Sequence, residues 1–311
     1  MANVYTTTAV VTNVVQTAYD KYVEFALRTE PLFRDVADKR PVQVDKAGSS
    51  VVFQIYADLA VATATLTESV DPDSVAVSNT STVSVTLNEY GNAVLETEKL
   101  VYESLADIDP AIANMVAFNM RDSLDAVVRD VIRLGTNVIR NQAGVLTVGG
   151  ATVSVTATDI FDSRFARYCV AKLRGGAAVP RKEALYWCAI HPDVSHDLRK
   201  ETGAAAWRDP HNYSSPSSIW AGEIGQYEGA FYVETPRTYQ ATDGAAAAKV
   251  HRTIFAGKQA LAEALAYEPH VVIGPVVDKL MRFRPIGWKA LMGWAIYRQA
   301  SLFRVETSSS I

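Results

Sequence analysis

An α+β fold organised on one long helix is predicted for this 311-residue chain, and three observations predict it. Apolar side chains at Ile112, Met115, Val116, Met120, Leu124, Val127, Val131, Leu134 and Val138 recur at three- and four-residue intervals, the spacing of one helix face. Val83, Val85 and Leu87 alternate strictly with Ser84, Thr86 and Asn88, the period of a strand with one face covered. Alternating strands return over residues 271–305. The length suffices for about two domains with a sizeable core.

Taken in order, residues 9–28 carry Val11, Val14, Val15, Ala18, Tyr22 and Phe25 at an approximate helical period, which Pro31 ends. A polar segment at 35–46 reads as an extended arm, and runs at 50–56 and 82–90 read as strands. Between them, residues 57–81 are rich in Ala, Thr, Ser, Val and Asp and hold no aromatic residue. That segment is too long for a tight hairpin and too poor in bulky side chains for a core of its own. Long loops of this kind tend to be functional or disordered, and an extended β-rich loop stable only against a neighbour is expected. Asp109 and Pro110 read as N-cap and first turn of the long helix, with Asp125 and Arg129 as an i,i+4 pair on its polar side. About thirty residues at roughly 1.5 Å each give a rod of about 45 Å, weakened near Gly135. Residues 145–155 read as a strand pair turning at Gly149-Gly150. A helix at 159–174 follows, with Phe161, Phe165, Tyr168, Cys169 and Leu173 inward and Gly175 as its stop. A strand at 184–190 leads through Pro192 into a short helix ending near Gly203. A Ser/Pro/Ala-rich stretch at 204–222 holds Trp207 and Trp220, 241–248 is a low-complexity loop, 260–267 reads as a short helix, and 307–310 as a loose end. Tyr227, Phe231, Tyr232, Trp288 and Trp294 read as core.

A net charge of −4 lacks the basic face of a dedicated nucleic-acid binder. It is compatible with enclosing DNA, because a basic wall would hold the phosphates through counterion release. Cys169 and Cys188 form no C-x-x-C pair and no disulfide framework, and both sit among apolar neighbours as small hydrophobes. No basic-then-apolar leader is read at the N-terminus. The apolar stretch at 290–297, flanked by Lys289 and Arg298, is shorter than a membrane span. A soluble chain made in a reducing cytoplasm is expected. Between Lys46 and Lys99 there is no basic residue, while Asp58, Glu68, Asp71, Asp73, Glu89, Glu96 and Glu98 give that interval a charge of −7. The interval is either a solvated acidic loop or a surface that docks on a basic neighbour. In the second case Glu68, Asp71 and Asp73 would meet Arg129, Arg133 or Arg284. Cys188, His191 and Asp193 lie close together at a strand end, but a Cys-His dyad needs its base in hydrogen-bond reach. Cys188 is expected along a buried strand and Pro192 at a helix start, so no catalytic residue is assigned. His191 and His196 lack the H-E-x-x-H register and no third ligand suggests itself, so neither metal nor cofactor is expected.

Gly222-Glu223-Ile224-Gly225-Gln226-Tyr227-Glu228-Gly229 sets three glycines in a turn-rich stretch, and Val233-Glu234-Thr235-Pro236-Arg237 follows. Upstream stand His191-Pro192-Asp193 and Asp197-Leu198-Arg199; Gly287-Trp288-Lys289 and Leu302-Phe303-Arg304-Val305-Glu306 close the chain. Together with the element order, these residues resemble tailed-phage major capsid proteins of the Hong Kong 97 fold, with Gly222, Glu223, Ile224, Gly225, Glu234, Pro236 and Arg237 as signature positions. The resemblance implies an N-terminal arm at 1–45 and an extended β-loop at 46–82. It implies a peripheral domain with the spine helix from 83–145 and 271–311, and an axial domain at 146–270. It further implies hexamers and pentamers of this chain closing an icosahedral shell around double-stranded DNA, a virion component made in the bacterial cytoplasm, with no membrane partner. A separate scaffold is implied, since no long N-terminal coiled coil is seen, along with a portal and room for a decoration protein. A cellular nanocompartment shell of the same fold, with protein cargo, is the alternative. Tail-tube proteins would be shorter and dominated by β-structure.

Overall fold

The computed structural model describes residues 28, 30–41, 48–56, 58–77, 79–103, 108–202, 223–275, 278, 280 and 282–311. The expected helix at 9–28 (Arg28 apart), Trp207, Trp220 and Gly222 lie outside them. In chain order the elements begin with β1 (Ala37–Pro41), β2 (Ser50–Tyr56), β3 (Asn79–Thr86), β4 (Asn88–Thr97), α1 (Glu98–Glu103) and α2 (Ile108–Ile132). Next come β5 (Val138–Gln142), β6 (Val145–Val148), α3 (Ser163–Gly175), β7 (Tyr186–Ile190) and α4 (Pro192–Lys200). The chain closes with β8 (Glu223–Tyr227), β9 (Ala230–Glu234), β10 (Gln240–Ala241), β11 (Val250–Ala256), β12 (Leu261–Ile273), β13 (Phe283–Ile296) and β14 (Leu302–Thr307). Two compact units share the chain: Asn92–Asn119 with Val271–Trp288 in the smaller, and Thr29–Gly91, Met120–His270 and Lys289–Ile311 in the larger.

The larger unit is centred on a mixed sheet ordered β6-β5-β14-β11-β7-β9-β8, with β10 beside β11. β7 is buried at every position, as a central strand covered on both faces must be. α3 presents Phe165, Ala166, Cys169, Val170 and Leu173 to this sheet, α4 adds Val194 and Leu198, and the strands supply Ile139, Tyr186, Ile190, Tyr232, Phe255 and Val305. Asp162 caps α3 by accepting from the Arg164 amide at 2.9 Å. β1 runs parallel to β12, from Ala37↔Leu261 to Pro41↔Leu265. In the smaller unit Trp288 and Ile286 are buried with Ile112 and Val116, and Trp288 Nε1 donates to Asn119 Oδ1 at 3.0 Å. A Cβ on Gly287 would come within 2.7 Å of the Asn92 carbonyl oxygen, so only glycine lets the two backbones approach this closely.

Several expectations are corrected. Residues 261–267 form the start of β12, not a helix. Alanine favours helices, but Ala262, Ala264 and Ala266 lie on one strand face under Phe53, Val85, Leu87 and Tyr297, so the governing period is two. α2 spans 25 residues, roughly 38 Å at about 1.5 Å per residue, and Val138 already belongs to β5. It includes Ile108, so Asp109 and Pro110 stand inside its first turn. Its buried side is Ile112, Val116, Leu124, Val128 and Ile132, and Met115 and Leu134 are exposed. The hairpin after β5 turns at Ala143-Gly144, both at positive φ, rather than at Gly149-Gly150. The C-terminal residues are held: Thr307 and Ser308 are buried, and the Ser310 amide donates to Asp197 Oδ2 at 2.8 Å. Trp288 and Trp294 are core, as expected.

Candidate assembly surface

β2 and β3 form a separate two-stranded ladder, from Ser50↔Thr86 to Tyr56↔Asn79 with an irregularity at Ile55/Tyr56. The alternation seen in the sequence decides which face is covered: Val85 and Leu87 are buried with Phe53 against β12, and Ser84 and Thr86 are exposed. The ladder sits tightly on β13, for a Cβ on Gly293 would come within 2.0 Å of the Thr86 carbonyl oxygen. Beyond the ladder, every residue from 58 to 77 is exposed. Leu59, Val61, Leu66, Val70, Val75 and Val77 are 56–86% exposed on this segment, which also carries Asp58, Glu68, Asp71 and Asp73 without one basic residue.

The intended partners of those acids are placed differently. Asp125 and Arg129 do not form an exposed pair. Asp125 is 1% exposed and accepts the amides of Leu32, Phe33 and Arg34 at 2.9, 2.6 and 3.2 Å. Its other oxygen receives Arg237 Nε at 3.2 Å, and Arg237 also pairs with Asp122. The signature arginine therefore fastens α2 and the 32–34 segment to the corner after β9. Arg129 and Arg133 bracket Asp130 at 3.4 and 3.3 Å and face the Tyr239 ring, whose centroid lies 5.8 and 4.2 Å from their Cζ atoms. Both keep about a third of their side chains exposed, 28% and 34%. Arg284 is exposed on β13.

Within the signature, β8 and β9 join through Glu228 and Gly229, at φ of 50° and 81°. Positive φ at both central residues is the two-residue hairpin turn that matches strand twist, and glycine adopts it without strain. Glu223, Ile224 and Gly225 lie on β8, while Glu234 Oε1 accepts from Ser195 Oγ at 2.8 Å and Pro236 shapes the turn that presents Arg237.

Cys188 is fully buried, and burial, then Cys169, pushes its thiol well above the usual range, so it offers no thiolate. His191 caps α4, its Nδ1 accepting from the Asp193 amide at 3.2 Å. Contrary to expectation a third candidate ligand stands beside it. His251 on β11 lies with its ring 4.6 Å from that of His191, and Asp193 Oδ2 is 3.4 Å from His191 Nδ1 and 3.8 Å from His251 Nε2. Continuing the Ile254↔Ala189 register of β11 on β7 brings His251 opposite the start of α4. Strand pairing of this kind has no local sequence signal. His196 is not part of the group; its Nδ1 lies 3.6 Å from Asp197. Burial, then His191 and Lys249, push His251 down to about 4, and burial lowers His191 as well, so both imidazoles are neutral at neutral pH.

Among solved structures the chain is similar to the capsid of Ralstonia phage GP4, with 13% identity, TM-score 0.74 and 96% of each chain covered. It is also similar to the cyanophage Pam1 capsid (14%, 0.73, 100% of each chain) and to the acidic stable capsid of Helicobacter pylori bacteriophage KHP30 (11%, 0.71, 99% of each). No curated protein sequence matches it. The model of the family described as phage capsid protein matches residues 25–303. A fold shared over full chain lengths and a family match over most of the sequence agree: the chain belongs to the phage capsid protein family and is a major capsid protein with a Hong Kong 97-like α+β fold.

Proposed function

We propose that copies of this chain form hexamers and pentamers that close an icosahedral shell around double-stranded DNA, each laying its 58–77 segment on an adjoining subunit. The observation that carries this is the segment itself: six large apolar side chains and four acids, all exposed, on a ladder seated firmly on its own subunit. An apolar run of this kind is stabilised only when another surface removes it from water. Repeated use of one heterologous contact around a closing rotation gives rings. In this reading residues 1–45 are the arm, 46–82 the loop, 83–145 with 271–311 the peripheral domain, and 146–270 the axial domain. Glu68, Asp71 and Asp73 meet Arg129, Arg133 or Arg284 of the neighbour and set register. A separate scaffold and a portal assist assembly in the bacterial cytoplasm, a decoration protein has room outside, and the chain's negative charge keeps packaged DNA from adhering to the wall. The nanocompartment alternative is not favoured by the family. Simultaneous Glu68→Lys, Asp71→Lys and Asp73→Lys tests the reading. Because all three acids are exposed, the variant should keep its circular dichroism and melting transition yet yield no closed shells by negative-stain microscopy. Shells of normal size and yield would overturn the docking.

A further inference from the structure

We propose that the larger unit binds a divalent cation of the zinc class between His191, Asp193 and His251. The three residues can offer one ligand atom each within 4.8 Å of one another, drawn from the β7–α4 junction and from β11. Zinc–nitrogen and zinc–oxygen bonds of about 2.0–2.2 Å place tetrahedral ligands roughly 3.4 Å apart. Two of the separations, 3.4 and 3.8 Å about Asp193 Oδ2, already approach that edge. The independent observation is His251 itself: it is 0% exposed, and neither ring nitrogen has a hydrogen-bond partner. A buried polar group left unpaired costs about 1–3 kcal/mol, and buried polar atoms are nearly always satisfied. A metal ion would take the lone pair of His251 and would displace the Asp193 amide from that of His191.

Imidazole and carboxylate donors suit zinc better than calcium or magnesium, which prefer all-oxygen shells. Three protein ligands leave a fourth position for water. The cation now beside the carboxylate is Lys249, whose Nζ lies 3.2 Å from Asp193 Oδ2; its side chain is 45% exposed and can swing out. Lys249 therefore competes with the metal for Asp193, and this gives the test its specificity.

The full-length chain, stripped with a chelator, is titrated with Zn2+ by calorimetry and melted with and without the ion. We expect one Zn2+ per chain and a raised Tm. Asp193→Asn should weaken binding roughly tenfold or more, and Lys249→Met should tighten it. A role for Asp193 confined to the Lys249 ion pair predicts no gain in affinity on removing the lysine. No Zn2+ uptake by the folded chain at about 0.1 mM would overturn the site, as would binding unchanged in Lys249→Met. The lysine variant decides even if Asp193→Asn does not fold.

Discussion

Glu306 is fully buried and faces three guanidinium groups, with Arg140 Nε at 2.7 Å, Arg252 Nε at 3.2 Å and Arg304 Nε at 3.0 Å, while Thr152 donates its hydroxyl at 2.8 Å. One carboxylate thus holds together β5, β11 and β14, and removing its charge leaves buried cations uncompensated. Glu306→Gln should cost about 3–5 kcal/mol, the usual loss when one partner of a buried ionic cluster is deleted, measured by urea unfolding. Burial pushes the pKa of Glu306 up, but Arg304, Thr152, Arg140 and Arg252 together outweigh it and hold the carboxyl below its ordinary range. The native state therefore binds fewer protons than the unfolded chain. This stabilisation is complete above about pH 4.5 and is lost as pH falls toward the folded value. The Gln variant should lack that part of the acid-side decline; an unchanged pH profile would show that Glu306 does not titrate as described.

At the scale of elements, the hairpin base tests whether the long loop is aimed by its own subunit. A side chain on Gly293 would collide with the Thr86 carbonyl, and Gly293→Val should cost about 1–3 kcal/mol by overpacking. Hydrogen exchange should then rise across β2 and β3 while the β7–β11 core stays protected. Equal protection in both would mean the ladder is not seated there. This seat shows how much of the fold was legible. Val83, Val85 and Leu87 disclosed their covered face because one side of the strand is wet, so their alternation survives. The apolar positions of α3 did the same for a helix. β12 was hidden because its alanines satisfy helix propensity as readily as a packed strand face, and only tertiary contact with Phe53 and Tyr297 decides between them. Asp125 looked like half of a surface pair because nothing local reveals that the amides of residues 32–34 fold back onto it. Arg237 was marked by resemblance alone, and its partner lies 112 residues earlier. The exposure of the 58–77 segment was legible, since a lack of aromatics together with one sign of charge is a property of sequence.

For the whole molecule, magnitudes decide which part of the loop would hold a shell together under the proposed docking and which part would steer it. Exposed ion pairs contribute about 0–1 kcal/mol each. Each fully buried Leu or Val contributes about 1.5–3 kcal/mol. In the proposed docking Leu59, Val61, Leu66, Val70, Val75 and Val77 would therefore outweigh Asp58, Glu68, Asp71 and Asp73 in affinity, while the acids would act at a distance during encounter. These two roles separate experimentally. At about 1 M salt the screening length shrinks to about 3 Å, so light scattering should show slower assembly that reaches nearly the same final yield. Val61→Ser with Leu66→Ser leaves the charge pattern intact and removes apolar area, so final yield should fall at every salt concentration while the salt dependence of the rate persists. If instead high salt abolished the shells and the double serine variant assembled to full yield, the acids would be the principal bond between subunits, and the greater weight assigned to the apolar side chains would be wrong.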